Sequence, residues 1–187
     1  TVAKSIEFTE KCLQKIVDEQ YPLEKLIISK SLRGFYKNPD SIAHKVLADR
    51  MTKRDPGNKP AVGSRIPYIY IQTKGKVKLQ GDKIENPDYI RKNKIKPDYS
   101  FYITNQIMKP VQQIYGLLLF DIPKFKHKVR MFKKKLARIK EQFKDNPKKC
   151  KEKCEKIIYA EVKKIIFQKY LLASDRIKTG QRSLLSM

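Results

Sequence analysis

Three Asn-Pro pairs, at 38–39, 86–87 and 146–147, punctuate the chain, and a Pro-Asp pair stands at 97–98. Proline fixes φ and has no N–H, so it suits the first turn of a helix and disrupts the interior of one. An Asn just ahead of it supplies the side-chain oxygen that caps that turn. Each pair therefore predicts a helix start, and a chain cut this often is built of short elements. Behind the first start, Ile42, Val46, Leu47 and Met51 form an inward stripe, which Asp55-Pro56-Gly57-Asn58 ends as a turn. Behind Pro97-Asp98 stand Tyr99, Ile103, Ile107, Val111, Ile114 and Leu118, with a kink expected at Pro110.

The remaining elements follow from periodicity. Ile6, Thr9, Leu13, Ile16 and Val17 share one face of a helix that Pro22 stops. Leu26–Ser29 reads as a short buried strand, and Ile66–Ile71 as an edge strand with Pro67 near its start. After Pro123 the composition turns to Lys, and Phe125, Val129, Phe132, Leu136, Ile139 and Phe143 recur at spacings of four and three, a heptad seam. The last helix carries Cys150, Cys154, Ile157, Ile158, Ile165 and Ile166 along its apolar side, so the two basic helices predict an αα-hairpin. The fold class expected is mainly α with a small β component (α+β). Its divisions are 1–122, a basic helical hairpin over 123–173, and a tail over 174–187.

Charge narrows the partner. Lys plus Arg number 43 against 19 Asp plus Glu, a net charge of +24. Such an excess opposes compaction unless a polyanion neutralises it, and nucleic acid is the polyanion that releases counterions on doing so. An anionic membrane surface is the rival, but the longest apolar run, Leu117–Phe120, is far short of a span. The basic helix 124–140 reads first as a solvated coiled-coil face, then as an extra phosphate contact, and last as a membrane-surface helix. Cys12, Cys150 and Cys154 point to a reducing compartment without a disulfide framework. Cys150 and Cys154 are spaced as buried structural thiols, since a zinc site needs four ligands. His44 and His127 have no nucleophile or acid partner in sequence reach. The chain opens on Thr1 without a secretory signal, so an intracellular piece of a longer polypeptide is expected, not a secreted protein.

The stretch Lys53-Arg54-Asp55-Pro56-Gly57-Asn58-Lys59-Pro60-Ala61-Val62-Gly63-Ser64-Arg65-Ile66-Pro67-Tyr68 combines turn residues with cations. Gly57 and Gly63 permit positive φ and close approach of backbone to a ligand. Lys53, Arg54, Lys59 and Arg65 add the charge that phosphate oxygens accept. Nothing in it resembles base-specific reading, so sequence-independent duplex binding fits better, beside the plainer reading of a solvated basic loop.

Leu26–Leu32, Ala43–Met51, Lys53–Gly57 and Gly63–Tyr68, in that order, resemble the thumb of delta-type family B DNA polymerases, most closely those of large double-stranded DNA viruses. Pro97–Leu119, with Tyr99, Tyr102 and Gln106 to Pro110, looks like the last thumb element of that family. The resemblance covers about residues 6–120 and makes 1–122 a thumb. It implies a primer–template duplex held from its minor-groove side, with Lys30, Lys53, Arg54, Arg65 and Tyr68 near the backbone. Gly57 and Gly63 would shape the loop, and Asp55 would orient the neighbouring Arg side chains.

The chain has no Asp-x-Asp, the carboxylate pair that holds two metal ions in the palm of that family. The implied enzyme is a DNA-directed DNA polymerase, a nucleotidyltransferase, whose Mg2+ belongs to a palm elsewhere; this segment alone is expected to be inactive and to need no cofactor. The implied partners are duplex DNA and the rest of the polymerase, in a nucleus or viral replication site. Gln181 and Leu184 match the first half of a sliding-clamp peptide, without its aromatic pair. Two other classes compete: a free-standing basic nucleic-acid-binding protein, and an assembly module that uses the Phe125–Phe143 seam.

Overall fold

The computed structural model of the chain describes residues 1–73, 75 and 77–179. It divides into two compact units, a helical one made of Thr1–Gln20 with the chain from Ile103 on, and a sheet-containing one, Tyr21–Tyr102.

The sheet unit holds a three-stranded sheet in the order β1 (Ile28–Ser31), β2 (Arg65–Tyr70), β3 (Ile84–Glu85), all antiparallel. β1 starts two residues later than the expected strand, because Leu23–Leu26 winds as a 3₁₀ turn. β2 is the central strand, not an edge. β1 pairs with its whole first part, Arg65–Tyr68, whereas β3 reaches only Ile69 and Tyr70. Leu32 N–H donates to the Ser64 carbonyl, and the alternation of the ladder then puts Pro67, opposite Ser29, at a position whose N–H would face away from β1. That side is open beyond the end of β3, so the missing donor breaks no ladder bond. Ile66 and Tyr68 pack with Leu32, Leu47, Ala48 and Ile84 on one face, while Ile69 packs with Leu26, Ile90 and Tyr102 on the other. The sheet is thus covered on both sides.

The Asn-Pro starts differ in outcome. Asn86 caps α3 (Pro87–Asn93), accepting from the N–H groups of Asp88 and Tyr89. Asn38-Pro39 opens only the 3₁₀ turn Pro39–Ser41; α2 (Ala43–Arg54) begins after Ile42 without a side-chain cap. Gly81 lies so close to α2 that an added Cβ would meet Val46 Cβ at 2.6 Å. Asp98 caps the short α4 (Tyr99–Phe101), accepting from Phe101 N–H. Tyr102 is pinned in the core: its hydroxyl donates to the Leu26 carbonyl at 2.7 Å and accepts from Tyr70 N–H at 3.0 Å, and burial pushes its phenol well up.

In the helical unit, α1 (Val2–Val17) buries Ile6, Leu13, Ile16 and Val17. The stretch Tyr102–Met108 is π-helical and runs without a break into α5 (Lys109–Leu117), whose second residue is Pro110. The π turn rephases the face. Ile103 is buried as expected, but then Met108, Tyr115 and Leu119 are buried, and Ile114 is 59% exposed. One extra residue in a turn moves every later side chain round by about 100°. The basic segment starts with the 3₁₀ turn Pro123–Lys128, followed by α6 (Val129–Gln142) and α7 (Pro147–Val162), which pack as a hairpin. Asn146 caps α7 through Lys149 N–H. Phe125 and Phe132 of the heptad seam are buried, edge to face at 5.2 Å, and the rest of the seam is half-buried. A second π stretch, Lys163–Phe167, leads into α8 (Gln168–Lys178), which packs on α1.

Candidate nucleic-acid interface

The residues expected to meet DNA all fall in the sheet unit, and the register decides which of them come together. Lys30 stands opposite Ile66 and Arg65 opposite Ser31, so the two cations lie on opposite faces of the β1–β2 pair, one residue apart along it. Both are exposed. Arg65 is held in place: its Nε donates to the Ser29 hydroxyl at 3.0 Å and its Nη2 to the Ser29 carbonyl at 3.2 Å. Lys53, in the last turn of α2, and Lys59, in the loop after it, are exposed as well. Among the described residues Lys30, Lys53, Lys59 and Arg65 make no ion pair.

The loop between α2 and β2 is shaped by Gly63. Its φ is +87°, its N–H donates to the Leu32 carbonyl at 2.8 Å, and Leu32 N–H answers Ser64. Two residues thus oppose one, a bulge with glycine in the left-handed region. Gly57 is different: its φ is not positive, and an added Cβ would meet nothing nearer than Asp55 Oδ1 at 3.5 Å. Asp55 does not orient an arginine. Its carboxylate accepts from Asn58 Nδ2 at 2.6 Å and closes the turn.

Tyr68 is buried in the core beneath the sheet, whereas Arg54 is exposed at the surface and paired with a buried carboxylate. Arg54 Nη2 donates to Glu85 Oε2 at 2.9 Å, and its guanidinium lies 3.6 Å above the Tyr89 ring. That hydrogen bond to Glu85 raises the guanidinium's already high pKa. Glu85 is 3% exposed and also receives Asn86 N–H at 2.8 Å, with Arg50 Nε at 3.6 Å. Arg50 in turn donates to the carbonyls of Gly81 and Ile84, both at 2.8 Å. Tyr68 is 6% exposed, and burial pushes its phenol up. The Arg50–Arg54–Glu85 cluster escaped sequence reasoning, although the i,i+4 spacing of the two arginines on one helix face was its signal.

Elsewhere, Cys150 and Cys154 are free and half-buried rather than buried, on the rim of a 450 Å³ pocket with Phe143 and Pro147. Burial raises the Cys154 thiol. Among the described residues no three His, Cys, Asp or Glu side chains are grouped to hold a metal ion. Nor is any described helix long and apolar enough to cross a membrane. Gln181 and Leu184 lie outside the described residues.

Residues 1–118 match the model of DNA polymerase family B. The chain belongs to that family. It is 42% identical over 186 residues to a DNA polymerase of Pyramimonas orientalis virus, covering 98% of this chain and 15% of the relative. It is 48% identical over 134 residues to a DNA polymerase of Acanthamoeba polyphaga mimivirus, covering 68% of this chain and 8% of the relative. A DNA polymerase delta catalytic subunit of Schizosaccharomyces pombe matches at 35% over 116 residues, 60% of this chain and 10% of the relative. The chain therefore spans a small part of the length of the curated relatives it matches. The alignment with the Pyramimonas virus polymerase runs on through the basic hairpin.

Proposed function

We propose that residues 1–122 are the thumb of a DNA-directed DNA polymerase and that the sheet unit grips the primer–template duplex by its backbone. The observation that carries this reading is the set of exposed cations Lys30, Lys53, Lys59 and Arg65, which no carboxylate neutralises among the described residues, while Lys45, Arg54 and Arg91 of the same unit are paired. Backbone phosphates are the counter-charge that such a rim accepts without reading bases. Gly63 turns the loop tightly enough for main chain and Arg65 to come close to a strand. Arg54 holds the end of α2 through Glu85, and Tyr68 packs the sheet, so both support the grip. Nucleotidyl transfer and its Mg2+ belong to palm carboxylates elsewhere in a longer polypeptide, at the nuclear or viral site of replication.

Replacing Lys53, Lys59 and Arg65 together by Ala tests the reading and spares the Arg54–Glu85 pair. Each phosphate that is no longer neutralised lowers the slope of log affinity against log salt by about 0.9, so a drop of about 2 to 3 is expected. Affinity for a recessed primer–template end should exceed that for blunt duplex. An unchanged slope, or no preference for the recessed end, would overturn the thumb assignment.

A further inference from the structure

One pocket of the sheet unit gathers cations with nothing to neutralise them. Its volume is about 330 Å³, and Lys30, Ser31, Arg33, Tyr36, Ile42 and His44 line it. No carboxylate is in that lining, and among the described residues neither Lys30 nor Arg33 forms an ion pair. The uncapped first turn of α2 adjoins the pocket at Ile42 and His44. Lys30, grouped by sequence with Lys53 and Arg65, thus belongs to a separate constellation.

The wall of the pocket holds a hydrogen-bonded tyrosine–histidine pair. Arg33 N–H donates to the Tyr36 hydroxyl at 2.7 Å, and the same oxygen lies 3.0 Å from His44 Nε2. In the neutral tautomer that carries its proton on Nδ1, Nε2 takes the Tyr36 proton and none is left for a ligand. Once His44 is protonated, Nε2–H and Arg33 N–H both donate to the phenol oxygen, whose own proton is then free to turn into the pocket. Protonation of His44 is disfavoured in this setting. Burial is the main cause; repulsion by Lys30 comes next and by Arg33 last, against a Ser31 backbone hydrogen bond that favours the charged ring. Those two cations, on β1 and in the segment after it, and Tyr36 are the charged and titratable groups that face the ring among the described residues, and none of them is a carboxylate.

We propose that this pocket is a proton-linked phosphate site, in which Lys30, Arg33, Tyr36 and His44 together hold one phosphate group of the duplex backbone. This rests on the duplex-gripping reading and adds Arg33, Tyr36 and His44 to it. A phosphate between Lys30 and Arg33 offsets the repulsion felt by the ring, so binding favours the protonated imidazole and draws protons from solvent onto His44 where it titrates. By linkage, affinity through this site strengthens as pH falls through the range where the imidazole titrates.

The chain has two histidines, so NMR of their ring protons follows His44 directly, with His127→Gln assigning the signals. Saturating duplex DNA at constant ionic strength should raise the His44 titration midpoint by about 1 pH unit, equivalent to tenfold tighter binding by the protonated ring. Arg33→Ala, an exposed change, and Tyr36→Phe should each cut that rise to less than half. If duplex binds with its usual salt dependence and the midpoint stays put, the pocket assignment is overturned while the duplex reading survives. If duplex does not bind at any pH, both fall. A rise with inorganic phosphate but not with duplex would also overturn the backbone assignment.

Discussion

Arg54 sits where two partners compete for one guanidinium. A phosphate would meet it in water, whereas Glu85 meets it as a carboxylate that is 3% exposed and already out of water. An ionised carboxylate left alone in such a place costs far more than an exposed ion pair gains, so the interior partner wins. Arg50 reaches the same carboxylate only at 3.6 Å and spends its Nη2 on two carbonyls, so it replaces Arg54 in part. Arg54→Ala should therefore lower stability by about 2 kcal/mol, below the full cost of breaking a buried pair because Arg50 remains. Urea unfolding would read the loss, and adding Glu85→Gln should recover part of it. A fully additive double variant would mean the two residues do not act as a pair.

Among the elements, α2 is fixed by what it is packed against more than by its own sequence. It starts without a side-chain cap, and its flank is closed by the turn Gln80–Lys83, where Gly81 has no room for a side chain against Val46. Gly81→Ala should cost about 1–3 kcal/mol by overpacking, and Val46→Ala should relieve part of that cost when combined with it. Thermal unfolding of the two single variants and the double one checks this. Independent, additive losses would show that the close approach is not the cause. The π turn Tyr102–Met108 is the second case in which packing decides. A stripe of Ile103, Ile107, Val111, Ile114 and Leu118 is a sound α-helical pattern, yet one added residue transfers burial to Met108, Tyr115 and Leu119.

At the scale of the whole molecule, the first twenty residues belong with the last helices. Tyr115 bonds Thr9 at 2.9 Å and Ser5 at 3.2 Å, and Lys124 pairs with Glu10 at 2.8 Å. Leu13, Ile16 and Val17 lie buried in the same unit as Phe125, Ile166 and Phe167. Removing residues 1–20 strips one wall from that core. Amide exchange should then show α5 to α8 losing protection while the β1–β2 ladder keeps its own. Equal loss in both regions would contradict the division into two units.

Much of this was legible in the chain because it is local. Caps and prolines act within one turn, so the starts at Asn86 and Asn146 and the hairpin of basic helices follow from neighbours in sequence. The family string and the charge of +24 point to a DNA partner before any coordinates. What needed tertiary structure depends on residues far apart. Glu85 claims Arg54 across 31 positions, and the β1–β2 register puts Lys30 and Arg65 on opposite faces. The fold also sets Tyr36 against His44, eight residues away in sequence, an interval with no helical or strand period to announce it. Sequence determines which groups are available and where elements begin. Burial and pairing decide which of those groups remain free to meet a ligand, because a buried charge must be answered by whatever the fold brings beside it.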